Sequence, residues 1–155
     1  MVSYYENTQA GDTSAYDSPW IAVYDTDCVG SGYLDEAYNF TIDCMHYAYN
    51  QGKISGYTVG KRSVNSWCPD CDSTTTIVNQ WDSKRDELGL THEGDHALVH
   101  SCSDAAPGTH SGNPWSTDAS TVARTDSGIA SKENVASTVV HETLHGHCRS
   151  ALCDN

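Results

Sequence analysis

The sequence predicts an α+β fold: a mixed β-sheet packed against two or three helices. Three observations carry that expectation. Short β-prone apolar runs alternate along the chain with longer segments whose apolar residues recur at helical spacing. Glycine, proline and aspartate punctuate the boundaries between them. The length, 155 residues with 37% hydrophobic, suits one core and is short for two, so residues 1–155 read as a single domain.

Residues 1–19 are polar and turn-rich and read as an irregular lead-in. Ile21 to Tyr24 is an apolar run bounded by Pro19 and by Asp25-Thr26-Asp27, hence a strand. From Leu34 to Gln51 the residues Leu34, Ala37, Tyr38, Ile42, Met45 and Tyr49 fall on one helical face, and Gly52 is a stop signal. Ile54 to Val64 alternates and carries Tyr57, Thr58 and Val59, so it reads as a strand. Trp67 to Ser73 is a loop around Cys68-Pro69-Asp70-Cys71, and Thr75 to Leu88 is a helix through Ile77, Val78, Trp81 and Leu88, ended by Gly89. His96 to Cys102 is a strand centred on Ala97-Leu98-Val99. Ala105 to Ala119 is rich in Gly, Pro, Ser and Asn and reads as a long loop or an irregular edge strand. Ser120 to Thr125 is a short strand, and Ser131 opens the last helix, with Glu133 in its first turn favouring the helix dipole. That helix is rich in β-branched residues, so packing rather than propensity must hold it.

The charge balance excludes some functions. Eight Lys and Arg stand against 21 Asp and Glu, a formal net charge of −13. Nucleic-acid binding needs a basic footprint and anionic membranes need basic residues, so neither partner is expected. No apolar run approaches a membrane span. Residues 1–10 lack the apolar core of a signal peptide, so the chain reads as a mature or recombinant form. Fifteen Asp and only four Lys resemble a surface from a high-salt environment, where screening relieves self-repulsion. The expected result is a melting temperature that climbs steeply between low and molar salt. A salt-independent melting temperature would reject the halophilic reading.

Seven cysteines (28, 44, 68, 71, 102, 148 and 153) in a small acidic chain point to disulfides and an oxidising, extracellular compartment. The number is odd, so at least one is free or bound to something else. Cys68-Pro69-Asp70-Cys71 could be redox-active or half a zinc knuckle; no second close pair completes a zinc site, and a loop-stapling disulfide role fits better. Asn39-Phe40-Thr41 fits a glycosylation acceptor. Asp25-Thr26-Asp27-Cys28-Val29-Gly30, followed by Glu36, overlays a calcium-loop spacing, but Val29 takes a ligand position and a strand precedes it, so a solvated turn capping the next helix is expected.

Two windows fit His-Glu-x-x-His. In His141-Glu142-Thr143-Leu144-His145, on a helix, four residues turn about 400°, so both imidazoles lie on one face and reach one tetrahedral metal. Glu142 lies about 100° away, near the ion without ligating it, placed to accept a proton from a metal-activated water and pass it to a leaving amine. Thr138, Val139 and Val140 leave the back of the helix free to pack. The other window, His92-Glu93-Gly94-Asp95-His96, has Gly-Asp where the motif needs a helix and runs into a strand, so it is rejected. His96 and His100 then read as solvent-facing or core-edge histidines.

The motif and the element order resemble the N-terminal subdomain of the metzincin clan of zinc peptidases, over roughly Trp20 to His147. The resemblance implies a zincin-like, mostly parallel sheet with an antiparallel edge strand, in which His96-Ala97-Leu98-Val99 is the inner strand, Gly108 to Trp115 is the edge strand pairing with extended substrate through Gly108, Thr109 and His110, and the last helix is the active-site helix. The clan's longer signature, His-Glu-x-x-His-x-x-Gly-x-x-His, is not met: Cys148 stands at the Gly position, Ala151 at the third His, and no Met follows. Either the chain is truncated, or the third ligand comes from elsewhere, or the metal site is incomplete. For a third ligand, His147 (if the helix breaks at Gly146) is favoured over Asp154 and Cys148. The expected function is a secreted zinc endopeptidase with Zn2+ on His141 and His145, Glu142 as general base, and a protein or peptide as substrate. The alternative is a non-catalytic extracellular or virion-type binding domain on the same scaffold.

Overall fold

The computed structural model describes residues 1–90, 94–102, 108–111, 120–124 and 136–141. Within them the chain runs β1 (Val2–Gly11), β2 (Trp20–Thr26), α1 (Tyr33–Asn50), β3 (Gly56–Val64), α2 (Thr74–Leu88), β4 (Asp95–His100), β5 (Gly108–Ser111) and β6 (Ser120–Arg124). A last helical segment, α3, covers 136–141. The strands form one sheet in the order β1-β3-β2-β4-β6-β5. The inner four are parallel, and β1 and β5 close the two edges antiparallel. The fold is thus α+β with a mixed sheet, as the alternation of segments predicts, and the sheet is mostly parallel.

Handedness explains where the helices go. The β2-α1-β3 connection moves one way along the sheet, and β3-α2-β4 moves back past β2. Right-handed crossovers in opposite directions put their helices on opposite faces. The two packed clusters agree. On one face Ile21, Val23, Val59, Ala97 and Val99 meet Leu34, Ala37, Tyr38 and Met45 of α1, together with Ala136 and Val139 of α3. On the other, Ala22, Tyr24, Val64 and Leu98 meet Ile77, Val78 and Trp81 of α2. A strand covered on both faces must be apolar or internally satisfied along its whole length. All six residues of β4 are accordingly buried.

Helix ends follow local chemistry. The Ser73 side chain accepts from the Thr76 backbone N–H and caps α2, while Gly89, at φ 71°, terminates it in the left-handed conformation. Gly94, at φ 88°, turns the chain into β4; a Cβ there would stand 2.5 Å from the Trp20 carbonyl oxygen. α1 starts at Gly32, with Asp35 and Glu36 in its first turn.

One expectation needs correction. Residues 1–19 are not an irregular lead-in throughout: Val2–Gly11 forms the ten-residue strand β1, paired with β3 from Val2↔Val64 to Gly11↔Gly56, with a register shift between Tyr4 and Glu6. The segment reads as polar because it is an edge strand with much of its length exposed. Only faint alternation survives, with Thr8 and Ala10 turned partly inward. The sheet therefore carries two antiparallel edges rather than one.

Candidate functional site

The C-terminal ends of the parallel strands are tied together by covalent and polar links. Cys28, just past β2, bonds Cys68, and Cys102, just past β4, bonds Cys71. Cys68 and Cys71 thus staple their loop, each to a different strand end, as the disulfide reading of that tetrapeptide expects. The Ser66 N–H donates to the Asp27 carboxylate at 2.6 Å, and the Ser63 hydroxyl donates to Asp25. Asp25 and Asp27 of the calcium-like spacing are therefore engaged in holding β2 and the turn after it to the end of β3 and the residues just past it. Open parallel sheets commonly bind ligands in the crevice beyond such strand ends; here the crevice between β2 and β3 is bridged. Among the described residues Cys44 is the free thiol, half-buried on α1. Its thiol is pushed up in pKa by burial, with Asp43 adding to the effect. Thr41 of the glycosylation tripeptide is fully buried inside α1, where its hydroxyl donates to the Ala37 carbonyl. That is a poor setting for an acceptor site.

Of the motif residues, His141 lies within the described chain. It is exposed at the end of α3. Ala136, Val139 and Val140 turn inward, with Ala136 and Val139 in the α1-face core, while Ser137 is exposed. Ser137 and His141, four apart, share the outer row of the helix. The segment thus packs by its apolar side and leaves His141 on the side away from the core. Glu142, His145, His147, Cys148 and Asp154 fall outside the described residues, as do His92 and Glu93 of the rejected window. Among the described residues no group of three His, Cys, Asp or Glu gathers closely enough to hold a metal.

Gly108, Thr109 and His110 lie in β5, opposite Ala123, Val122 and Thr121 of β6. β5 is the outermost strand on its side of the sheet. Its second edge faces no strand among the described residues, so main-chain donors and acceptors are directed outward there.

The second His-Glu-x-x-His window is not helical over its described part: Gly94 is left-handed and β4 starts at Asp95. His96 and His100 are neither solvent-facing nor at the core edge. Both are 0% exposed, on the face of β4 that packs against α2. The Arg85 guanidinium, itself 2% exposed, donates through Nη1 to His96 Nδ1 at 3.0 Å and through Nη2 to Asp82 at 2.7 Å. Trp81 Nε1–H donates to the His96 carbonyl at 3.1 Å. The Trp20 and Tyr24 rings meet the imidazole edge-on, at 6.1 and 5.7 Å. Arg62 lies over the Tyr4, Trp20 and Tyr24 rings, at 4.7, 4.8 and 5.9 Å. Burial, then Arg85 and Arg62, push the His96 pKa down to about 3. Composition and spacing do not reveal this buried polar cluster. The signal available was a histidine at each end of an apolar strand core.

An open cleft of about 400 Å³ runs along the outer side of α2, lined by Trp67, Asn79, Gln80, Ser83, Lys84 and Glu87. It lies across the sheet from α3. Trp67 stacks on Trp81 at 6.0 Å, while Lys84, paired with Glu87, sits 5.8 Å over the same indole. The Trp67 indole is thus already in contact with both Trp81 and Lys84 of α2.

The chain matches no known protein-family model, and comparison with curated proteins returns no match. Among the described residues no helix is long and apolar enough to cross a membrane.

Proposed function

We propose that the chain is a secreted zinc endopeptidase of metzincin-like architecture. The single observation that carries the reading is the seating of α3: its apolar side is buried in the sheet's core while His141 lies in its exposed row. A helical continuation would bring His145 into that same row and Glu142 about 100° from His141. The sheet gives further support. β4 is an inner parallel strand and β5 an antiparallel edge, the places that the family resemblance assigns to the inner strand and the substrate-pairing strand. Two disulfides suit an extracellular chain.

In this reading His141 and His145 hold the ion, with His147 favoured over Asp154 and Cys148 as third ligand. Zinc, when bound, polarises the scissile carbonyl and acidifies water. Glu142 accepts a proton from the attacking water and delivers it to the leaving amine. The outer edge of β5, at Gly108, Thr109 and His110, holds an extended peptide by main-chain hydrogen bonds.

The deciding experiment is elemental analysis of the purified protein, followed by casein or gelatin cleavage in high salt with and without a chelator. The expected result is one zinc per chain and cleavage that a chelator abolishes and added zinc restores. A metal-free protein that cleaves nothing would favour the alternative, a non-catalytic extracellular or virion-type binding domain. The Cys148 and Ala151 departures from the clan's signature give that alternative its specific support.

A further inference from the structure

The buried imidazole of His96 is fixed in one protonation state by what surrounds it. Arginine has donors and no acceptor. The contact between Arg85 Nη1 and His96 Nδ1 therefore requires Nδ1 to be unprotonated and to accept. The proton of the neutral ring then sits on Nε2, which has no hydrogen-bond partner among the described residues and is enclosed with the Trp20 and Tyr24 rings. Every element packed around the ring has an identifiable charge contribution. From α2 comes Arg85, with Asp82 behind it; from β3 comes Arg62; from β2 comes Tyr24, whose hydroxyl accepts from Arg62 at 3.3 Å. Along β4, His100 shares the face and Asp95 is buried on the other. β6 pairs Ser120 with His96 and brings Arg124 level with His100. The two charges that act directly on the ring are both positive.

We propose that His96 is an acid switch that latches α2 to the sheet only while its imidazole is neutral. Protonation at Nδ1 converts the acceptor into a donor facing a donor, breaking the Arg85 contact. It also places a third cation between Arg85 and Arg62 in a site from which water is excluded. Arg85 and Trp81, both of α2, are the groups that bond His96, so the strain falls on the α2–β4 junction. The direction follows from linkage. In the unfolded chain the imidazole binds its proton near the ordinary value of 6.5; in the folded chain it does so only at about 3. Between these values the unfolded state holds the extra proton, so stability falls as pH falls. Above 6.5 neither state is protonated and this group contributes no pH dependence. One such group raises the unfolding equilibrium constant about tenfold for each pH unit between roughly 6 and 4.

The test has two arms. NMR of the histidine Cε1–H resonances of the whole chain should show one imidazole, assigned to His96 by substitution, that stays in the Nε2–H form from pH 8 to 5 while the protein is folded. Urea unfolding across the same range should show a stability loss in the wild type that His96→Gln reduces by about one proton's worth, because the Gln amide oxygen still accepts from Arg85 and cannot titrate. A His96 that titrates near 6.5 in the folded protein without loss of structure would overturn the proposal. So would an identical acid slope in the wild type and His96→Gln. If His96→Gln does not fold, the titration of the wild-type resonance decides alone.

Discussion

Glu142→Gln is expected to keep bound zinc at the wild-type level and to lower peptide cleavage by about a hundredfold to ten-thousandfold, the range that a positioned general base contributes. The substitution preserves the size and hydrogen-bonding outline of the side chain and removes its ability to take a proton. In the proposed site Glu142 is not needed as a ligand: on a continuous helix two imidazoles four residues apart would share one face, with the carboxylate about 100° away. His141→Ala should behave differently. In the proposed site it removes a ligand from the exposed row of α3, so zinc content and cleavage should fall together. The fold should survive, because His141 is exposed while Ala136 and Val139 anchor the segment. Metal content by elemental analysis and initial rates of a peptide assay separate the two variants. Full activity in Glu142→Gln would remove the residue from the mechanism. Loss of zinc in Glu142→Gln with retention in His141→Ala would reverse the assigned roles.

The parts of the fold legible in the sequence are those where one local signal dominates. α2 could be read to within a residue because its apolar spacing and the stop at Gly89 agree. The inner strands could be read because a chain covered on both faces shows an uninterrupted apolar centre, as Ile21 to Tyr24 and Ala97 to Val99 do. β1 could not, because an edge strand with an exposed face carries residues such as Tyr4, Glu6 and Asn7 that serve a loop equally well. The disulfide role of Cys68 and Cys71 was legible, but the partners were not. Pairing depends on which strand ends the topology brings together, and adjacency of β2, β3 and β4 is a property of the sheet order. The buried histidines were misplaced for a related reason. Alternation along β4 assigns His96 and His100 to one face, but only the crossing of α2 over that face, with Arg85 and Trp81 aimed inward, makes it core. For the candidate site, the sequence supplied the residue types and their spacing. The structure adds the orientation of His141 on a seated helix and the edge position of β5.

Removing the two disulfides should produce the largest stability change available in this molecule. The links Cys28–Cys68 and Cys71–Cys102 span 40 and 31 residues. Loop-closure entropy for spans of that size gives about 4 kcal/mol each. The two loops do not overlap in sequence, so the effects should nearly add, to roughly 7 kcal/mol. That is comparable with the whole stability of an ordinary domain, about 5–15 kcal/mol. The structure argues that little compensates. Both bridges anchor the same loop, and through it the carboxyl ends of β2 and β4. Apart from them, that loop is held by the Trp67 indole stacked on Trp81, by Ser66 N–H to Asp27 and by the Asp70 N–H donating to the Gln80 side chain. Pairwise variants test this more cleanly than a reductant, which would also act on any link formed by Cys44, Cys148 or Cys153. Cys28→Ala with Cys68→Ala and, separately, Cys71→Ala with Cys102→Ala should each lower the melting temperature by roughly 10 °C, at about 2–4 °C per kcal/mol for a chain of this length. The second pair should lose more, because Cys102 is 1% exposed within the α2-face core and its replacement also removes packed volume. The four-site variant should be unfolded or nearly so at 37 °C by circular dichroism. A four-site variant within about 5 °C of the wild type would show that the strand ends are held by the sheet alone.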